Sequence, residues 1–233
     1  MSNKAEIVER LVKQLDLAEE ARASIATDKV ASRRRDHLRE WQAGRLARTH
    51  ADLLENRRYA ATTEFFLTEI YGPNDLSRQI EQVRRILPVM MRTLPAAGLE
   101  TVADAIELNA LSEQLDMAMV RALGSRTDEI TPATYGEAYR QVGRRAERER
   151  QIELIGHIGR SLDRLTHSRL IRMALSTMRK PARLAGLQDL QNFLERGHSA
   201  FRKMRGADEF LQTIVTRERQ LLEALFAGDD SLL

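Results

Sequence analysis

His50, Arg57 and Glu64 stand seven residues apart, in a run whose apolar positions are Leu46, Leu53, Leu54, Ala60, Ala61, Phe65, Leu67 and Tyr71. On one continuous helix that spacing lines three ionisable side chains along the apolar face. A guanidinium buried there needs a carboxylate, because an unpaired buried charge is strongly destabilising. Asp104, on a face with Leu108, Leu111 and Leu115, is the candidate partner, and Arg92 and Asp116 can join it. The line is then either an internal salt-bridge network that fixes helix register or a polar pocket for an anionic or polar ligand. Thr101-x-x-Asp104 also reads as a weak capping box, which would put Asp104 at a helix start.

Other chemistries find less in the sequence. A di-metal carboxylate bundle uses two Glu-x-x-His motifs, and only Glu195-x-x-His198 is present. Glu149, Glu153 and His157 follow one another at four-residue steps, but Arg145, Arg148 and Arg150 oppose a cation there. Salt bridges between residues four apart account for those acids, so no metal site is expected. The chain has no cysteine, no Gly-x-Ser-x-Gly and no glycine-rich phosphate loop. No catalytic residue and no cofactor is expected.

The elements that must position these groups read as helices throughout. Ile7, Leu11, Leu15, Ala18 and Ile25 define an amphipathic N-terminal helix within 1–29. A second helix is expected from Arg33 to Tyr71, roughly 55–60 Å long and therefore bent or broken somewhere. A third meets Pro88, and a fourth runs from Pro95 or Thr101 to Leu123. Thr131-Pro132 signals the start of a fifth, which is expected to bend near Gly156 or Gly159 and to close at Pro181 and Gly186. Leu187, Leu190, Leu194, Gly197, Phe201 and Met204 alternate three- and four-residue steps, and Leu211, Ile214, Glu218, Leu221 and Leu225 continue the seam. An antiparallel hairpin over 187–227 follows, with Glu195 roughly opposite Arg217. Glu218 sits on the seam and requires a partner.

Phe65 and Phe66 precede a stop built from Tyr71, Gly72 and Pro73, with Asn74 or Asp75 capping the next helix. Adjacent residues lie about 100° apart on a helix. Phe65 therefore continues the apolar face, and Phe66 needs a second cover, most simply the helix turned back at Gly72-Pro73. Glu64 is expected to be paired inside.

Charge is unevenly placed. Residues 95–137 hold eight acids and two bases, and 140–183 hold twelve bases and four acids, within a chain of formal net charge +3. The two segments are expected to pack together, and a nucleic-acid stripe over 140–183 is the sharper alternative. Arginine supplies 32 of the 37 basic residues. The start is charged, no apolar run reaches membrane length, and cysteine is absent, which together fit a cytoplasmic protein.

The stretch FFLTEIYGPNDLSRQIEQVRRILPVMMRTLP, with ADAIELNALSEQLDMAM and RKPARLAGLQDLQNFLERG further on, resembles an uncharacterised family of bacterial helical proteins. Its pattern runs FFL-x3-YGP-x-D-x-S-x-R, and the resemblance spans about residues 30–225. It implies a helical fold and carries no activity, cofactor, partner or site residue. The sequence therefore predicts one all-α domain over 1–233, a bundle of about seven helices. The expected role is non-catalytic, a protein-interaction or regulatory module that binds another protein or a second copy of itself. A small-ligand bundle with an internal polar pocket is the alternative, and nucleic-acid binding the second; no membrane partner is expected.

Overall fold

A computed structural model describes residues 4–26, 28–70 and 77–233. Tyr71, Gly72, Pro73 and Asp75, the predicted stop and cap, lie outside the described residues. Those described fold into eleven α-helices with no strand among them: α1 Lys4–Ala26, α2 Lys29–Thr49, α3 Ala51–Glu55, α4 Ala60–Phe65, α5 Ser77–Thr93, α6 Ala96–Leu123, α7 Pro132–Val142, α8 Arg145–Thr166, α9 Arg169–Leu184, α10 Gln188–Met204 and α11 Asp208–Ala227. A π-helical turn, Phe66–Ile70, extends α4, and a 3-10 turn, Gly124–Asp128, follows α6. The expected class holds, but the count of about seven is too low.

The long second helix accounts for most of the difference. The chain kinks at His50 and then leaves helical geometry at Asn56, whose side-chain oxygen accepts the Arg58 N–H at 2.9 Å. Such a side-chain-closed turn competes with helix propagation without needing glycine or proline. Heptad spacing across the break therefore no longer places residues on one face. The fifth predicted helix also divides, at Gly143 (φ +63°) and again beyond Thr166. Thr131 caps α7 as expected, in a capping box closed with Thr134.

α6 is the central helix, packed by α1, α2, α7 and α8. Ile7, Leu11 and Leu15 of α1 bury against Leu99, Ala103 and Ile106 of α6 and against α5. A second cluster gathers Phe66, Ile155, Phe201, Met204, Phe210 and Leu211, and a third gathers Leu38, Met119, Tyr135, Tyr139, Leu221 and Leu225. Phe66 is covered by Phe201 and Phe210, with ring centroids 6.0 Å away in each case, so its cover comes from α10 and α11. Phe65 lies on Phe193 and over Gly197, whose missing side chain admits the ring.

The terminal hairpin is not formed. α10 packs on α4, α5, α8 and α9, whereas α11 packs on α7 and α8. Positive φ at Arg205 (57°) and Gly206 (117°) turns the chain between them, and the seam glycine of α10 is taken by α4. Glu195 pairs with Arg179 at 2.7 Å, and Arg217 pairs with Asp52 at 2.7 Å.

Gly156 and Gly159 lie inside α8 rather than at a bend. They let α11 approach: a Cβ at Gly159 would overlap the Cδ atoms of Leu211, which is buried. Gly159→Ala is therefore expected to cost about 1–3 kcal/mol through overpacking. Thermal unfolding of the purified variant checks this, and an unchanged midpoint would mean that α8 and α11 are not locked at this crossing.

Candidate functional site

Three polar clusters are built into the helix contacts. α6 carries two carboxylate pairs, Asp104 with Glu107 and Glu113 with Asp116, each three residues apart and so one turn apart on one face. The first pair turns towards α1 and α8, the second towards α2.

In the α2–α6 contact, Arg39 donates from Nε to Asp116 Oδ2 at 2.9 Å and from Nη2 to Glu113 Oε1 at 2.5 Å. Arg35, one turn earlier, reaches Glu113 at 3.5 Å. Glu113 is 4% exposed and Asp116 8%. Burial pushes the Asp116 carboxyl up; Arg39 pulls it down, and the neighbouring Glu113 adds to the upward push.

The second cluster joins α2 to α11. Arg45 Nη1 donates to Glu218 Oε1 at 2.6 Å, and His50 Nε2 lies 3.4 Å from the same oxygen. Burial opposes the Glu218 charge, but Arg45 and His50 outweigh it and hold the carboxyl down at about 2, against an ordinary 4.5. His50, Glu218, Thr63, Leu67, Phe66 and Phe210 border a cavity of about 20 Å³. That is room for a single water, whereas ligand pockets run to about 300–1,000 Å³. His50 Nδ1 is buried without a hydrogen-bond partner, and a water there would satisfy it. Nearby, the buried guanidinium of Arg148 stacks on Tyr139 at 3.7 Å from the ring centroid.

The third cluster ties α1 and α8 to α6. Asp104, 2% exposed, takes Arg10 Nη2 at 2.8 Å on one oxygen and His157 Nδ1 at 2.5 Å on the other. Glu107 takes Arg10 at 3.0 Å and Arg150 at 2.7 Å. The carboxylate at Nδ1 holds the orientation of the half-exposed His157 ring. Two hollows among the described residues lie elsewhere, and one is the cavity at His50. The other is an open groove of about 300 Å³ beside Ala118, Arg121, Ala122, Gln141 and Val142, whose polar groups are exposed.

The predicted set is thus dispersed. His50 and Asp104 are buried, but in different clusters and with partners other than each other. Arg57, Glu64 and Arg92 are exposed. Arg57 does not meet Asp104, and Glu64 forms no ion pair among the described residues, because the turn at Asn56 rotates α4 away from the face of α2. Asp104 lies well inside α6 and caps nothing. Acidic and basic segments do meet, through α6 and α8, yet two of the five α6 carboxylates, Glu113 and Asp116, are held by α2 instead. Arg39 and Arg10 were hidden by ordinary surface-like spacing, although Glu218 on an apolar seam signalled its own need for a partner. Among the described residues no group of three or more acids and histidines is disposed to hold a metal ion. No described helix is long and apolar enough to cross a membrane.

No curated protein and no solved structure matches the chain significantly. A family model does, over residues 21–232, and covers most of the sequence. The chain therefore belongs to an uncharacterised family, described as a domain of unknown function (DUF8198).

Proposed function

We propose that the protein is a non-catalytic helical interaction module. The observation that carries this reading is where unsatisfied surface lies. The buried carboxylates are engaged by arginines and histidines, Arg148 rests on the Tyr139 ring without an ion pair among the described residues, and the cavity at His50 is water-sized. Outside, six of the eight exposed large apolar side chains among the described residues sit on α5, α9 and α10: Val89, Met91, Met173, Met178, Leu184 and Leu194. These helices adjoin, with Leu190 N–H on Gln82 Oε1 at 2.9 Å and Gln191 Nε2 on the Leu175 carbonyl at 2.7 Å. Single exposed apolar residues are ordinary, but a concentration on neighbouring helices supports a contact surface.

The other readings draw less from the geometry. A small-molecule site has the water-sized cavity at His50 and an open groove beside Arg121 and Gln141 to draw on, neither enclosing a ligand-sized space. A nucleic-acid stripe over 140–183 loses Arg144, Arg145 and Arg150 to acids of the same molecule.

A photo-cross-linking residue placed at Met173, in the cells that express the protein, tests the reading. A covalent adduct of protein mass is expected at Met173, with a control at exposed Arg57 giving none. Equal yields at both positions, or none at either, would overturn it.

A further inference from the structure

We infer that the outer face of α9 docks an acidic amphipathic helix of a partner protein. This rests on the interaction reading and assigns the chemistry of what is bound. The helix runs RLIRMALSTMRKPARL and contains five basic residues and no acid. Its inner face is spent on the fold: Ala182 is buried, and Ile171 and Leu175 are half-buried. The outer face carries two kinds of side chain in separate strips. Met173 and Leu184 are 62% and 89% exposed, and at 100° per residue they point within about 20° of each other, three turns apart. Arg169, Arg172, Lys180 and Arg183 occupy roughly the adjacent 20–100° on one flank. All four are exposed, and none has a carboxylate within ion-pair distance among the described residues. Arg179, by contrast, turns to Glu195 and is neutralised within the fold.

An apolar strip beside an unneutralised basic strip is complementary to a helix with leucine-like residues on one face and carboxylates along its edge. Methionine suits such a surface because its flexible thioether adapts to different partners. A nucleic acid would use the arginines but not the apolar strip. A bilayer surface is less well matched, because Ile171, Leu175 and Ala182 of α9 are turned into the fold and leave only a narrow apolar strip to insert.

The probe is a fluorescein-labelled peptide about 18 residues long, with leucines at helical spacing on one face and glutamates elsewhere. A lysine version of the same peptide is the control. Fluorescence anisotropy with the full chain is expected to show binding of the glutamate peptide and none of the lysine peptide, weakening as salt rises from about 50 to 200 mM. Met173→Glu with Leu184→Glu should lower affinity about tenfold or more, with circular dichroism unchanged. Arg172→Glu with Arg183→Glu should lose the glutamate peptide and gain the lysine one. Failure of the glutamate peptide to bind, or equal binding by the Met173/Leu184 double variant, would overturn the assignment. So would tighter binding of phosphatidylglycerol vesicles or duplex DNA to the same arginines. Cross-links at Met173 without acidic-peptide binding would leave the interaction reading standing and remove this partner chemistry; absence of cross-links removes both.

Discussion

Arg39→Met is expected to destabilise the protein by about 3–5 kcal/mol, the cost of leaving a buried ion pair half complete. The guanidinium of Arg39 is the bridge between Glu113 and Asp116, and all three side chains are largely out of water. Without it, two buried carboxylates face each other across one helical turn, with Arg35 at 3.5 Å from Glu113 and the neutral Gln42 side chain at Asp116 left to answer them. Burial already pushes the Asp116 carboxyl up, so the variant should take up a proton there and loosen the α2–α6 contact. Urea unfolding at neutral pH measures the loss, which for a chain of this size corresponds to a fall of roughly 6–20 °C in the thermal midpoint. Adding Glu113→Gln and Asp116→Asn to Arg39→Met should recover part of it, because the stranded charges are then gone. A loss below about 1 kcal/mol, the scale of an exposed pair, would show that water reaches this contact.

The second large effect is expected at Glu218, and it depends on pH. Its folded pKa of about 2 lies below the ordinary 4.5. The unfolded chain therefore binds a proton at this position before the folded one does. The stabilisation is complete above about pH 4.5 and fades as pH falls towards 2, amounting to about 3 kcal/mol at neutral pH. Glu218→Gln removes the charge while keeping the shape, and leaves Arg45 buried beside a neutral amide. The variant should be several kcal/mol less stable than the parent at pH 7, with the difference shrinking steadily between pH 4.5 and pH 2.5. Denaturant unfolding of both proteins across that range gives the comparison, and other titrating groups cancel in the difference. Parallel curves would contradict the assigned ion pair.

Both contacts join residues far apart in sequence, and this explains what could and could not be read beforehand. Helices whose ends are written locally were legible: Thr131-Pro132 opens α7, and Ile7, Leu11, Leu15 and Ala18 form the buried stripe of α1. Breaks without proline or glycine were not. His50 and Asn56 interrupt the second helix in a stretch that contains neither residue, and Asn56 was the one local signal of it. The line His50–Arg57–Glu64 depended on that helix being continuous, so it dissolved with it. Asp104 was recognised as a buried acid, but its partners Arg10 and His157 lie on α1 and α8. Nothing in residue spacing states that these helices meet across α6. The glycines of α8 show the same ambiguity in another form. Gly159 reads equally as a hinge or as a place of close approach, and only Leu211 above it decides.

The buried carboxylates are closed off by their own cationic partners, and the proposed function lies on the outer surface. Native mass spectrometry of the protein, purified gently from the cells that make it, tests this most directly. The bare chain of 26.6 kDa is expected, together with species heavier by the mass of a protein. A stoichiometric small-molecule adduct of a few hundred daltons, lost on Glu218→Gln, would contradict it.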